Sequence, residues 1–220
     1  MDMTDAESQA PLSVEMMTSR QLARRARLIE TVIQLVSETG SASIQMRDVT
    51  DRSGVALGTV YRYFRSKDHL LAAALTEWQA KHTRRILSSK RDENADALPL
   101  VKDFLRRGLK AFERSPGMAV LMVQMLASSD PDVHQLLGQS SEVYATAFDR
   151  LLATVPSDDV YYIRLALDCV LMDAVQRMSS GRVTPGQAQA QVEGVADILL
   201  SGRARRSGPS GEGRSERTPA

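Results

Sequence analysis

The 220-residue chain has one cysteine, Cys169, so it can form no internal disulfide and no multi-cysteine zinc site. Aromatic residues are only 5% of it. No apolar run approaches the roughly 20 residues that cross a bilayer, so no membrane partner is expected. Residues 1–19 lack the basic start and apolar stretch of a secretory signal, and a cytoplasmic protein is expected. No segment alternates strongly enough to read as a strand. The H-E-x-x-H, G-x-S-x-G and P-loop patterns are all missing, and His69, His82 and His134 are scattered. No catalytic residue, enzyme activity or cofactor is expected. Asp130, Asp132 and His134 have a spacing that could hold a metal. Asp130 stands just before a proline, however, where an N-cap is the better reading, so no metal is expected.

Net charge is also nearly absent, at +1, but the charges are segregated. Residues 1–19 carry −4, residues 20–91 carry +8, residues 92–200 carry −6 and residues 201–220 carry +3. A basic block beside an acidic one suggests two tasks, and phosphate neutralisation is a common use of the first.

Between polar ends the apolar spacing is helical, giving an all-α chain. Ala26, Ile29, Ile33 and Val36 recur at three and four, with Val32 widening the stripe, and Gly40 reads as the stop. Further helices are expected at 46–53, 57–64 and 67–90, the last capped by Ser66. Residues 92–97 read as a polar hinge. The spacing then predicts helices at 98–112, 117–127, 131–154 (capped by Asp130), 157–180 and 185–200.

Residues 45–71 hold the informative stretch. Two short helices joined at Gly54 give a helix-turn-helix, whose second helix enters the major groove of DNA. Gly54 takes a left-handed turn cheaply, and Val55 can plug the angle between the helices. Gly58 and Thr59 leave room for close approach. Tyr61, Arg62 and Tyr63 supply hydroxyl and guanidinium groups. Lys67 stands beside free backbone N–H groups in the first turn of the next helix, a setting that suits a phosphate.

The segment Val55-Ala56-Leu57-Gly58-Thr59-Val60-Tyr61-Arg62-Tyr63-Phe64, followed by Ser66-Lys67-Asp68-His69-Leu70-Leu71, closely resembles the DNA-binding domain of TetR-family regulators over residues 24–75. The resemblance implies a homodimer with an N-terminal three-helix helix-turn-helix domain and a C-terminal helical effector-binding and dimerisation domain. Most members are repressors released from DNA by a small ligand. It implies that Arg47 reaches a base edge or phosphate and that Gly58 lies against the groove. Thr59, Tyr63 and Lys67 would hold phosphates, and Tyr61 would touch base methyls or the backbone. Leu57 occupies a position often used for base contact, where it can read a thymine methyl or simply pack. Ala56 departs from the family's usual hydroxyl cap. The expected divisions are a disordered leader at 1–19, the DNA-binding domain at 20–66, the ligand-binding and dimerisation domain at 67–201 and a disordered tail at 202–220. Gln45-Met46-Arg47, Asp51-Arg52, Tyr61 to Phe64 and His69-Leu70-Leu71 are also similar to the steroid-catabolism repressors of actinomycetes, as is Arg114-Ser115-Pro116. That similarity implies a sterol-derived or acyl-CoA effector.

For an elongated hydrophobic effector between the helices, Met118, Leu121, Met122 and Met125 form an adaptable Met-rich stripe, although ordinary core packing accounts for at least half of them. Phe104, Phe148, Cys169, Met172 and Gln176 are further candidates. The last two helices carry Leu165, Leu171, Met172, Val192, Val195, Ala196 and Leu199 on more than one face. Two copies could therefore form a four-helix bundle, setting the recognition helices about 34–36 Å apart on a palindromic operator. The competing class is a helical lipid-binding or adaptor protein with an incidental helix-turn-helix, which would lack salt-dependent DNA binding.

Overall fold

The computed structural model describes residues 13–88 and 96–204, which contain helices and no strand. The helices are α1 (Ser19–Thr39), α2 (Met46–Ser53), α3 (Leu57–Tyr61), α4 (Lys67–Leu87), α5 (Ala97–Arg114), α6 (Pro116–Leu126), α7 (Pro131–Leu151), α8 (Ser157–Ser179) and α9 (Pro185–Ala204). Short 3-10 turns occupy Val14–Met16 and Ser41–Ser43.

Helix α1 starts at a capping box. Thr18 Oγ1 accepts from the Gln21 N–H at 3.4 Å, while Gln21 Oε1 accepts from the Thr18 N–H at 2.8 Å. Met17 is buried just ahead of it, so regular structure begins before the expected leader ends. Residues 1–12 of that leader lie outside the described residues, as do 92–95 of the expected hinge and 205–220 of the expected tail. Helix α4 stops at Leu87, three residues short of expectation, and α9 runs on to Ala204. The buried face of α1 also differs from the expected stripe. It is Leu28, Ile29, Val32, Leu35 and Val36, with Ala26 exposed. Leu28 and Leu35 bury more apolar surface than Ala26 can, and they turn the helix toward themselves.

Helix α4 is the hub. Leu70, Leu71, Ala72, Ala73, Ala74 and Leu75 are all buried, because α1, α5, α6 and α7 pack around it. Its alanines let those neighbours approach closely. Since α1 packs on α4, a boundary at 66/67 would cut through one continuous core. Helix α6 ties the two halves together again. A Cβ on Gly117 would stand 2.4 Å from the Val36 carbonyl oxygen, so glycine is required where α6 meets α1. Nearby, Ser41 Oγ donates to Gln124 Oε1 at 3.1 Å. Further out, α5 packs on α9, and α8 on both α6 and α9.

Candidate nucleic-acid interface and effector cavity

The helix-turn-helix is built as its sequence requires. The Gln45 N–H donates to Asp48 Oδ2 at 2.8 Å at the start of α2. Gly54 ends α2 in the left-handed region, φ 67° and ψ 21°, and its N–H donates to the Thr50 carbonyl. Val55 and Val60 are buried and fix the second helix against the first. Ala56 gives α3 no side-chain cap. Helix α3 ends at Tyr61, not at the expected residue 64; a tight turn follows, with the Tyr63 and Phe64 N–H groups both donating to the Val60 carbonyl.

This turn sorts the expected DNA contacts. Arg47, Leu57, Gly58, Tyr61 and Arg62 are exposed, and Thr59 and Lys67 are half-buried along the same stretch. Tyr63 corrects the expectation. It is 4% exposed and belongs to the core with Phe64, because the turn swings it inward. Gly58 is informative for a different reason. It is helical, its φ is ordinary, and an added Cβ would meet nothing within 4 Å. The fold does not need glycine here, and glycine costs about 1 kcal/mol relative to alanine in a helix. The backbone at Gly58 is therefore open to close approach from outside. Among the neighbouring arginines, Arg52 is tied to Glu38, with Nη2 to Oε1 at 2.7 Å. Arg65 pairs with Asp132 at 3.3 Å.

That second pair belongs to a junction between α4 and α7. Ser66 Oγ accepts from the His69 N–H at 2.9 Å, capping α4, and donates to Asp130 Oδ2 at 2.8 Å. Asp130 Oδ1 in turn accepts from the Asp132 N–H at 2.9 Å, capping α7. The Ser66 hydrogen bond holds the Asp130 carboxyl below the usual carboxylate range. His69 Nδ1 accepts from the Arg65 N–H at 3.2 Å, and burial lowers the imidazole's proton affinity. His134 turns away to the Ser128 carbonyl, so the three metal-like residues do not converge. No metal-binding group is present among the described residues.

A cavity of about 340 Å³ lies between α4, α6, α7 and α8. Of the expected ligand residues, Met122, Phe148 and Met172 line it. Phe104, Met118, Leu121 and Met125 do not; they are fully buried core, and the cavity opens along Met122 and Leu126 instead. Cys169 and Gln176 are exposed on the outer side of α8, roughly a quarter-turn from the cavity, so both are corrected. The lining also includes Gln79, Ser140, Tyr144, Arg164 and Asp168. Burial pushes both the Tyr144 phenol and the Asp168 carboxyl up, the latter against the pull of Arg164. Arg164 itself stands 3.6 Å from Asp149. One signal for these missed residues was present: Leu137, Ser141, Tyr144 and Phe148 recur at helical spacing along α7.

The expected dimer residues divide as well. Leu171, Val192 and Ala196 are buried within the chain's own core, which removes them from any outer face. Leu165 is 48% exposed, while Met172, Val195 and Leu199 are half-buried. The outer side of α8 and α9 instead presents Tyr162, at 68%, and Ile198, at 77%.

Comparison with known proteins places this geometry. A model of bacterial regulatory proteins of the tetR family matches residues 28–74. The HTH-type transcriptional repressor KstR of Mycobacterium tuberculosis is 30% identical over 205 residues, covering 89% of this chain and 92% of that protein. The chain belongs to the TetR family of bacterial transcriptional regulators. KstR of Rhodococcus jostii is 27% identical over 194 residues, covering 87% and 90% of the two chains. Among solved structures, a TetR transcriptional regulator from Rhodococcus sp. RHA1 shares 27% identity and a TM-score of 0.71, covering 82% of this chain and 97% of that one. FadR from Bacillus subtilis, solved in complex with stearoyl-CoA, has the same fold, with a TM-score of 0.62 at 19% identity, and covers 80% and 98%. The TetR family is one of regulators rather than enzymes, and no described helix here is long and apolar enough to cross a membrane.

Proposed function

We propose that the chain is a dimeric repressor that binds a palindromic operator through α2 and α3 and is released by a hydrophobic small molecule held between α4, α6, α7 and α8. The observation that carries the DNA reading is the exposed face of Arg47, Leu57, Gly58, Tyr61 and Arg62, with a glycine that only an outside partner needs. Repression is the activity in the name of the Mycobacterium tuberculosis relative, which aligns over nearly its whole length. Arg47 and Tyr61 read base edges, Leu57 contacts a thymine methyl, and Thr59, Arg62 and Lys67 hold phosphates. The dimer forms through the outer faces of α8 and α9, around Tyr162, Cys169 and Ile198. A sterol-derived or acyl-CoA effector is supported by the apolar cavity and the similarity to steroid-catabolism repressors. The stearoyl-CoA bound by the structural neighbour adds to that support.

Release works through the α4–α7 junction. Helix α7 lines the cavity along Leu137 to Phe148 and is capped by the same Asp130 that holds Ser66, one residue before Lys67. A ligand that pushes α7 outward pulls on Ser66 and displaces Lys67 from its phosphate. The test is chromatin pull-down in the native host, followed by titration of the recovered sites with the full-length protein. A palindromic site whose affinity falls steeply with salt, and is lost in Arg47→Ala, is expected. Binding that ignores both salt and Arg47 would return the chain to the lipid-binding or adaptor reading.

A further inference from the structure

The cavity contains a polar group that the fold leaves poorly satisfied. Gln79 is 9% exposed and lines the cavity wall. An amide offers two donor and two acceptor positions. Gln79 Nε2 has only the Met122 thioether at 3.8 Å, and Oε1 has only the Ser140 hydroxyl at 3.5 Å. Both contacts stand at the outer limit of hydrogen bonding, and sulfur is a weak acceptor. Native cores rarely leave such groups without partners unless something else supplies one.

The opposite end of the cavity differs. Arg164 faces Asp149, which lies nine residues beyond Ser140 on α7, or about 13 Å of helix rise. Asp168 stands beside it, one turn along α8. Asp168 lines this end beside Arg164, whose guanidinium Asp149 also engages, so little positive charge is left there for a free carboxylate. Between the ends the wall is apolar, formed by Met122, Leu137, Phe148 and Met172.

We infer that Gln79 is the specificity-determining residue of this cavity, and that it hydrogen-bonds an uncharged oxygen, a carbonyl or hydroxyl, at the inner end of an elongated, neutral, apolar effector. The inference rests on the effector reading above and narrows its ligand to uncharged alcohols, ketones or esters, setting aside free acids and the polyanionic acyl-CoA. The amide can donate to a carbonyl and both donate to and accept from a hydroxyl, so it fits either. A hydrocarbon of the same shape would bury Gln79 without a partner.

The test uses the full-length protein loaded with the neutral fluorescent probe Nile red, displaced in turn by 2-decanone, decane and decanoate. The ketone should compete about tenfold better than the alkane or the acid. In Gln79→Met that preference should collapse to within about twofold, with the melting temperature unchanged or raised, since the variant removes a buried polar group and keeps its volume. Equal competition by ketone and alkane in the wild type, or a preference that survives in Gln79→Met, overturns the role of Gln79. Should Gln79→Met not fold, Ser140→Ala serves in its place. It strips the amide of its hydroxyl partner, so the ketone preference should rise, and a fall overturns the proposal. Failure of the wild type to bind Nile red or any of the three overturns the cavity reading beneath, a result distinct from equal binding of all three.

Discussion

The two candidate sites of this chain are opposites in build. The α2–α3 face is exposed, drawn from one short stretch of sequence, and its outward side chains carry none of the core. The cavity is concave and borrows its wall from four helices, each of which also holds the protein together. The difference predicts separable mutational signatures. Changes on the first face should alter DNA affinity and spare stability, whereas changes in the second should alter both stability and ligand response.

The sharpest test of that contrast pairs Gly58 with Met122. Gly58→Leu places a side chain where the fold offers open space and improves helix propensity. The melting temperature should hold or rise, while operator affinity in a filter-binding or gel-shift titration falls on the order of 100-fold, about 2.7 kcal/mol. Met122→Ala should do the reverse. It removes a buried side chain from the cavity wall, costing about 2–5 kcal/mol in urea unfolding, and leaves operator affinity of the folded fraction unchanged. A Gly58→Leu protein that unfolds but still binds operator would erase the distinction between the regions.

Next in size is the outer face of α8 and α9, through which the proposed dimer would support DNA binding. Ile198→Asp places a charge at the centre of the proposed dimer contact, at a position 77% exposed in the single chain, so folding should survive. Sedimentation at micromolar concentration should shift from dimer toward monomer, and operator affinity should fall at least tenfold as the paired recognition helices separate. Cys169 reports on the same face independently. It is exposed in the isolated chain, so a maleimide should label it faster in Ile198→Asp than in the wild type. Equal labelling rates would move the dimer contact elsewhere.

The contrast also explains what could be read from sequence. Gly54, Val55, Val60 and Phe64 lie within eleven residues, and local turn and helix rules place them, so the helix-turn-helix was legible. Tyr63 was not, because its burial depends on α3 ending at Tyr61, a boundary that turn hydrogen bonds decide. Little of the Met-rich stripe of α6 faces the cavity. Met118, Leu121 and Met125 are core, and only Met122 reaches the space. Which side of a mostly apolar helix faces a void depends on its neighbours, and in α6 the single polar side chain, Gln124, points to Ser41. Gln79 was missed for the same reason: a single polar residue on a buried helix carries no sign of what stands opposite it. Cys169 and Gln176 were misplaced by about a quarter-turn of α8, a rotation set by its packing on α9.

The α4–α7 junction joins the two regions, so breaking it should blur the contrast. Asp130→Ala removes the cap of α7 and the acceptor for Ser66 together. About 1 kcal/mol of stability should be lost to the cap alone. The telling measurement is how far a displacing ligand weakens operator binding. That coupling should shrink severalfold in Asp130→Ala, because α7 can then move without drawing Ser66. Coupling that is intact in the variant would mean the signal passes through the other contact between the halves, where Gly117 meets Val36.

The smallest effect is a pH dependence seated in the same junction. Asp132 and Asp130 favour the charged form of His69, while Arg25 and Arg65 oppose it. Burial outweighs the two carboxylates and lowers its pKa below the ordinary 6.5. Below that value the unfolded chain therefore holds the extra proton more readily than the folded one. The stabilisation from neutral His69 is full above pH 6.5 and is lost as pH falls through its lowered folded value. Asp130, also lowered, acts in a separate window. Its contribution is full above the usual carboxylate pKa of 3.8 and disappears only in stronger acid. Urea midpoints measured from pH 8 down to pH 5 should thus decline in the wild type and decline less in His69→Asn, whose amide can still accept from the Arg65 N–H. Parallel curves for the two proteins would show that protonation elsewhere sets the slope, and that the junction answers to ligand alone.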